Sequence, residues 1–301
     1  MDFYTHSAFL DHRVPVGHPE RPERLDSLLT HLKSVDLWPD LNVISAPRAN
    51  VQDLARVHTS DYVAAIKELS PTAGFVQLDP DTAMSPGSLE AATRAAGAVC
   101  SAVRRIASGG AKRAFCAVRP PGHHAESSAV LGFCLFNSVA VAADVALESF
   151  DRIAVLDFDV HHCNGTVEMF ADRPEVLVCS TFQYPFYPGR FQTVERPNVV
   201  NCRMPAGSGS DLFRELVESE WIPAIEDHEP GLILVSAGFD AHRADPLAQI
   251  NLEDEDFRWI SETIASAADR VCGGRIVSTL EGGYALDALS RCVEIHLATL
   301  L

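Results

Sequence analysis

The sequence predicts an α/β fold in which helices flank both faces of a central, mostly parallel sheet. Short apolar segments rich in β-branched residues alternate with longer amphipathic or alanine-rich segments along most of the chain, as in strands joined by crossover helices. The chain has 301 residues, of which 47% are hydrophobic, so it can bury one large core. It contains no sequence repeat, low-complexity tract or obvious linker. We therefore expect a single domain over residues 1–301.

The first half of the chain is predicted to be mostly helical. Its opening segment is rich in proline, histidine and charge and is expected to form a long ordered loop. The elements that follow are predicted helices at 24–34 and 51–69, a loop at 70–87, a helix at 88–107 and a strand at 114–118. Gly109 and Gly110 end the long helix. The stiff turn from Pro120 to Gly122 ends the strand.

The second half of the chain repeats the alternation of strand and helix. The predicted elements are a helix at 138–149, strands at 153–160 and 176–182, a helix at 211–227, a strand at 232–238, a helix at 256–272, a strand at 275–280 and a final helix. The segment 153–160 reads IAVLDFDV, which is apolar enough for the buried middle of a parallel sheet.

Composition excludes several classes of protein. With 41 acidic and 24 basic residues, the net charge of −17 argues against direct binding to nucleic acid and favours cationic substrates such as basic peptides or polyamines. The sequence shows neither a secretory leader nor an apolar run of membrane-spanning length, so we expect a cytoplasmic protein with no membrane partner. Its eight cysteines are scattered without a CxxC pair, which predicts reduced, buried thiols. The oligomeric state is left open.

Polar and metal-binding side chains follow four of the predicted strands. The groups are His123 with His124; Asp157, Asp159, His161 and Asn164; Asp240 with His242; and Glu281 with Tyr284. Alternation along an extended chain places Asp157, Asp159 and His161 on one face. Because ligands bind outside the carboxyl ends of strands in open parallel sheets, we expect these groups to form one site.

The residue types indicate metal-assisted hydrolysis. Asp159, His161 and Asp240 supply two oxygens and one nitrogen, which suits a divalent ion that keeps a position open for water or substrate. Zinc is the first choice, and Fe(II), Mn(II) and Co(II) remain open. The adjacent histidines can act as general base and acid, each oriented by an acceptor such as Asp157 or Asn164. After two glycines, Tyr284 can approach a substrate carbonyl and stabilise an oxyanion.

The motifs together resemble the metal-dependent histone deacetylase family, which also contains acetylpolyamine amidohydrolases. The matching segments are GHPERPERL at 17–25, RPPGHHAE at 119–126, GFCLFNSVA at 132–140, DFDVHHCNGT at 157–166, SAGFDAHRADPL at 236–247 and EGGY at 281–284. The resemblance covers nearly the whole chain in the family's order. It implies an arginase/deacetylase fold and removal of acyl groups from lysine-like amines.

The resemblance also implies a role for each matching residue. Asp159, His161 and Asp240 would bind one zinc ion per chain, His123 would be the general base paired with Asp157, and His124 would be oriented by Asn164. Tyr284 would stabilise the oxyanion. Phe133 and Tyr187 would form the aromatic walls of a substrate channel, and Asp81 would anchor the substrate. A structural potassium ion would lie at Asp157, Asp159, His161 and Ser180.

Three positions depart from the family pattern or divide its branches. Asn164 is typical of the class II branch and gives His124 a neutral partner. Cys163 stands where relatives usually have glycine, so the loop there either requires a strained positive φ or relaxes. Leu247 occupies the position at which a polyamine-preferring branch has glutamate, which favours acyl-lysine in a peptide. Three alternatives stay open: an acetylpolyamine amidohydrolase, a catalytically silent metal-bound scaffold, and an arginase-type enzyme with two metal ions.

Overall fold

The computed structural model describes all 301 residues of the chain. Its strands are β1 (Asp2–Thr5), β2 (Asn42–Ser45), β3 (Val76–Gln77), β4 (Ala83–Met84), β5 (Arg113–Cys116), β6 (Ile153–Asp157), β7 (Val176–Gln183), β8 (Val199–Met204), β9 (Leu232–Ala237) and β10 (Ile276–Leu280). Its α-helices are α1 (Ala8–Asp11), α2 (Glu23–Ser34), α3 (Val51–Leu54), α4 (Ser60–Glu68), α5 (Ser88–Ala107), α6 (Ser138–Ala146), α7 (Asn164–Phe170), α8 (Ser210–Leu216), α9 (Ile222–His228), α10 (Asp254–Cys272) and α11 (Leu286–Leu300). A 3₁₀ turn spans Trp38–Asp40, and a π-helical turn, Val217–Trp221, joins α8 to α9.

Eight strands form one parallel sheet in the order β2-β1-β5-β10-β9-β6-β7-β8. Strands β6, β7, β9 and β10 are buried along their whole length. A parallel strand that is covered on both faces needs apolar side chains pointing both ways, which explains continuous runs such as LILVSA in β9. The predicted α/β architecture is therefore confirmed.

Two groups of helices surround this sheet. Helices α5 and α6 pack on each other, with α5 against β5 and α6 against β9. In the other group α11 packs on α10 and α2, and α10 contacts β9. Together they bury a contiguous apolar core of 81 residues. None of the helices combines the length and apolar composition that a bilayer crossing requires.

The single helix predicted at 51–69 is wrong, because the segment forms two helices, α3 and α4. Thr59 interrupts it with an extended backbone, and its hydroxyl accepts the N–H of Tyr62 at 3.2 Å. That contact satisfies one of the free amides at the start of α4, as an N-cap threonine does.

The strand predicted at 153–160 is shorter than expected, because β6 ends at Asp157. At Asp159 and Val160, the backbone N–H groups donate to carboxylates and no longer to a neighbouring strand. The N–H of Asp159 donates to Asp157 Oδ1 at 3.0 Å. Asp240 Oδ1 likewise accepts the N–H of Val160 at 2.8 Å. The polar side chains thus replace strand pairing where the chain enters the site.

Several short elements were not predicted from the sequence. These are strands β1, β2 and β8 and helices α1 and α7, and the expected loop at 70–87 contains the β3-β4 hairpin. β1 and β2 have only four residues each, and β2 is a largely exposed edge strand. Segments this short lack a readable period, so tertiary pairing decides their conformation.

Candidate metal centre and active site

The sheet order brings the predicted strand ends together. Strands β5, β10, β9 and β6 are consecutive neighbours, and all run parallel. Their carboxyl ends therefore meet at one edge, and each delivers one of the polar groups that follow it in the sequence.

Asp159, His161 and Asp240 form a compact, buried group of possible metal ligands. One ligand atom from each lies within 4.8 Å of the other two. The Nδ1 atom of His161 is 3.1 Å from both Asp159 Oδ1 and Asp240 Oδ2. Both carboxylates are almost inaccessible to solvent. Two carboxylates buried this closely require a compensating cation.

The electrostatics of this group support that conclusion. Burial and the neighbouring charge of Asp159 raise the pKa of Asp240 to about 7. Burial alone would lower the pKa of His161, but its hydrogen bonds to the two carboxylates outweigh burial and raise it to about 10. The proton on this imidazole therefore compensates part of the negative charge, and a divalent ion bound in its place would leave the imidazole neutral, as a metal ligand requires. A donor set of two carboxylates and one imidazole fits a divalent ion.

Two glycines allow the backbone to approach these carboxylates. A Cβ atom at Gly238 would collide with the carboxylate of Asp159, and one at Gly282 would collide with those of Asp240 and Asp159. The N–H of Gly282 donates to Asp159 Oδ2 at 2.8 Å. The glycines in SAGFD and EGGY are therefore part of the metal centre's packing.

The two adjacent histidines lie beside this group in different environments. Their ring centroids are 4.0 Å apart. His123 Nδ1 donates to Asp157 Oδ2 at 2.9 Å, and His124 Nδ1 pairs with Asn164 Oδ1 at 2.7 Å. Asn164 Nδ2 donates to the carbonyl of His124 and to Glu126, which orients its oxygen towards the imidazole.

These environments push the two pKa values apart. Burial would lower the pKa of His123, but Asp157 and Asp159 outweigh burial and raise it to about 10. For His124, burial and the charges of His123 and His161 lower the pKa well below its usual value. Adjacent groups that favour opposite protonation states suit the exchange of protons with a substrate.

Tyr284 lies in the loop between β10 and α11, with its ring 6.0 Å from that of Phe133. The guanidinium of Arg24 lies 4.8 Å from the centroid of the tyrosine ring. Arg24 also donates to the carbonyls of Glu281 and Gly283 on the same loop. Burial raises the pKa of Tyr284, so the phenol keeps its proton and can donate a hydrogen bond.

A cavity of about 190 Å³ opens at these groups. The predicted channel residues Asp81, Phe133, Tyr187 and Leu247 all line it, together with His123, His124 and Tyr284. The backbone of Phe133 has a positive φ of 69°, an uncommon conformation for a bulky residue, and its N–H donates to Thr82 Oγ1. The local backbone is thus held in place to present this ring.

Two aromatic side chains at or beside the channel were not predicted from the sequence. Phe186 lines the cavity and stacks on His161 at 5.4 Å. His18 packs edge-on against Phe133 at 4.7 Å, and its Nε2 contacts the carbonyl of Asp81 at 3.0 Å. Phe186 adjoins Tyr187 in an aromatic loop that the sequence displays, whereas nothing local links His18 to Phe133.

Orphaned hydroxyls surround Asp157 beneath the metal centre. Ser180 on β7 and Ser236 on β9 are both in register with Asp157, and the hydroxyl oxygen of each is buried without a hydrogen-bond partner. Buried polar oxygens require a partner. Such oxygen atoms suit a monovalent cation. Asp157 and Ser180 belong to the ligand set expected for potassium, whereas Ser236 was not predicted.

A second cluster, formed by His242, Asp254 and Cys292, does not fit a metal ion. His242 Nδ1 accepts the N–H of Ala244 at 3.0 Å, so Nε2 carries the proton and donates to Asp254. A metal ligand would need that nitrogen's lone pair. Arg291 also donates to both oxygens of Asp254. The arrangement is a partly exposed hydrogen-bond network.

The structure decides between the two possibilities at Cys163. Its φ is −77°, so the loop adopts the relaxed alternative and accommodates cysteine without the cost of a positive φ. Burial raises the pKa of this thiol well above its usual value. An inaccessible thiol with a raised pKa is poorly nucleophilic, which argues against oxidation of Cys163.

Comparison with known proteins supports the assignment of these motifs. A family model described as the histone deacetylase domain matches residues 18–300. A histone deacetylase-like amidohydrolase of Pseudomonas aeruginosa is 38% identical over 277 residues, which cover 89% of this chain and 73% of that protein. The crystal structure of the HDA15 HD domain aligns with a TM-score of 0.92 at 31% identity and covers 99% of this chain and 87% of that one.

A third relative differs in length. The type-2 histone deacetylase 2 of Dictyostelium discoideum is 33% identical over 348 residues, which cover 98% of this chain. The chain spans only 20% of that longer protein. The similarity thus concerns one part of the Dictyostelium protein, the part that corresponds to the fold described above.

Proposed function

Because this chain belongs to the metal-dependent histone deacetylase family of hydrolases, we propose that it is a zinc-dependent enzyme that removes acetyl or other short acyl groups from acyl-lysine side chains. The observation that carries the proposal is the convergence of three metal-ligand side chains, two histidines and a tyrosine on one aromatic-lined cavity.

Asp159, His161 and Asp240 would hold the metal ion. When bound, a divalent ion supplies Lewis acidity at the substrate carbonyl, and its charge offsets the carboxylates that raise the pKa of His123. Membership of the family and the donor set support a metal centre, and zinc is the proposed ion. The orphaned hydroxyls around Asp157 support a structural potassium ion in addition.

The chain's own groups divide the proton transfers between them. His123 accepts a proton from the attacking water at Nε2, because its Nδ1 is held by Asp157. The phenol of Tyr284 donates a hydrogen bond to the oxyanion that develops on the substrate. His124, whose ring is held by Asn164, lies beside His123 and favours the neutral form. The proton then passes from the histidine pair to the leaving amine.

The channel supports a long, apolar substrate stem. Phe133, Phe186 and Tyr187 present aromatic surfaces to a narrow cavity, which suits the methylene chain of lysine. Leu247 adds an apolar surface in place of a carboxylate. Asp81 lies at the same cavity and would accept a hydrogen bond from the substrate backbone.

A second candidate, deacetylation of acetylated polyamines, is favoured by the acidic mouth of the channel. Asp79 and Asp81 are close enough that burial and the Asp81 carboxylate raise the pKa of Asp79. The net charge of −17 would also attract polycations.

We also propose a cellular compartment and a domain organisation for the enzyme. All eight cysteines are buried and free, which supports a reducing compartment such as the cytoplasm. The contiguous core of 81 residues supports one catalytic domain over residues 1–301. We propose no direct nucleic-acid or membrane partner.

The test is a panel of acetyl-, trifluoroacetyl- and longer acyl-lysine peptides beside acetylated polyamines, assayed with zinc-loaded and chelator-treated protein. Activity on peptides that is lost on chelation and restored by zinc would support the lysine deacylase. Activity confined to polyamines would support the second candidate. Protein that binds one zinc per chain yet turns over none of these substrates would contradict both and favour a silent scaffold.

A further inference from the structure

The loop that carries Tyr284 lies between β10 and α11 and has no regular secondary structure. Gly283, which precedes the tyrosine, has a φ of +124°, a region that residues with a side chain rarely adopt. Two consecutive glycines leave the backbone of this loop intrinsically free. Some other contact must therefore hold the tyrosine at a defined distance from the metal centre.

Asp245 makes that contact through the backbone. Its Oδ2 accepts the N–H of Tyr284 at 2.7 Å and that of Ala285 at 3.3 Å. Its Oδ1 accepts the N–H of Leu247 at 3.0 Å. The residue is only 7% exposed. Burial raises the pKa of its carboxyl, and the three backbone amides, with the nearby charge of Arg24, oppose that shift.

Asp245 is itself held in the loop that begins at the metal ligand Asp240. Its N–H donates to the carbonyl of His242 at 2.8 Å. The same carboxylate thus connects three parts of the site: the ligand loop, the tyrosine loop and, through Leu247, the channel wall. It bridges 39 positions of sequence to reach Tyr284.

We propose that Asp245 is a positioning residue that fixes the place of the Tyr284 hydroxyl in the deacylation reaction. This role rests on the proposed function. Arg24 and Asp159 hold the glycine pair itself, and the Asp245 carboxylate fixes the two amides that follow it. Replacement by asparagine keeps the size of the side chain but turns one acceptor into an N–H donor. That donor faces backbone N–H groups and cannot replace the lost hydrogen bonds. The phenol then loses its orientation, while the metal ligands keep theirs.

The experiment compares Asp245→Asn with wild type on matched acetyl-lysine and trifluoroacetyl-lysine peptides. Fluorine substitution activates the carbonyl, so its hydrolysis depends less on an oxyanion donor. We expect kcat on the acetyl peptide to fall roughly 10- to 100-fold, which corresponds to loss of hydrogen bonds to a charged group. The fall on the trifluoroacetyl peptide should be several-fold smaller, with KM and zinc content little changed.

A double-mutant cycle with Tyr284→Phe provides a second readout. If Asp245 acts through the tyrosine, Asp245→Asn should cost little further activity once the hydroxyl is absent. The variant Asp245→Glu keeps the carboxylate and tests whether it restores activity. It also provides a comparison with wild type if Asp245→Asn does not fold. Partial recovery of the acetyl-peptide kcat is expected.

The matched control is Asp256→Asn. Asp256 is equally buried and accepts the N–H of Glu253 at 2.9 Å, but it caps α10 and does not line the cavity. This variant should lose stability and keep its kcat ratio between the two peptides.

Equal losses on both peptides, or full additivity with Tyr284→Phe, would overturn the positioning role. Wild-type protein that binds zinc but hydrolyses neither peptide would instead refute the proposed function, independently of Asp245.

Discussion

Replacing Tyr284 with phenylalanine tests its proposed role as the oxyanion donor. The ring contacts with Phe133 and Arg24 remain, and the structure shows no protein group hydrogen-bonded to the Tyr284 hydroxyl. Removal of one oxyanion donor typically lowers kcat by roughly 10²- to 10³-fold, or about 3–4 kcal/mol. The variant should therefore lose catalysis with a stability change below about 0.5 kcal/mol.

Tyr62→Phe is the matched control. The Tyr62 hydroxyl is buried and donates to the carbonyl of Leu135 at 2.6 Å, outside the set of residues that line the cavity. Its loss should destabilise the fold by about 1 kcal/mol and leave kcat within a few-fold of wild type.

The assay measures kcat and KM on the best substrate of the panel, beside urea unfolding of the zinc-loaded proteins. The expected result is a crossed pattern: Tyr284→Phe changes rate and not stability, and Tyr62→Phe changes stability and not rate. A Tyr284→Phe variant with wild-type kcat would refute the role of the tyrosine. A variant that loses rate and stability together would show that its hydroxyl has a structural partner.

Three further predictions concern acidity, a buried arginine and potassium. Burial lowers the pKa of His58 to about 4. Between that value and the usual 6.5 the unfolded state therefore binds more protons than the folded state, so the folded state loses stability as pH falls. Urea unfolding should show about 2 kcal/mol of this loss between pH 7 and 5, and His58→Gln should remove it; an unchanged pH slope in the variant would contradict the assignment. Arg24 is fully buried and donates to the carbonyls of Glu281 and Gly283 on the tyrosine loop, while Glu20 keeps Arg119 as a partner when Arg24 is removed. Arg24→Met should therefore cost about 2 kcal/mol of stability by leaving those carbonyls without donors, and it should also lower kcat; a variant with normal unfolding and kcat would exclude this role. Activity should rise with KCl to saturation at constant ionic strength, and Ser180→Ala, which removes an orphaned hydroxyl, should raise the half-saturating concentration; indifference of wild type to potassium would exclude the site.

The sequence by itself determined the fold class and the chemical groups of the site. Long segments such as α5 and α10 carry a clear helical period, and the buried strands β6, β7 and β9 are continuous apolar runs, so their type is readable locally. The candidate metal ligands stand directly after predicted strands. Because the carboxyl ends of parallel strands share one edge, the sequence predicted that these ligands meet at that edge, and the sheet order made their strands neighbours.

Only the tertiary structure decided which groups touch each other. Arg24 reaches the carbonyl of Gly283 across 259 positions, and Asp245 reaches the N–H of Tyr284 across 39. All of these residues stand in motifs of the sequence, but no period or motif states which of them meet, because contact depends on how distant segments pack. The short strands β1, β2 and β8 were missed for a related reason: pairing with neighbours, and not local propensity, stabilises them. Tertiary contacts therefore fix the position of the candidate catalytic groups that the sequence identifies by type.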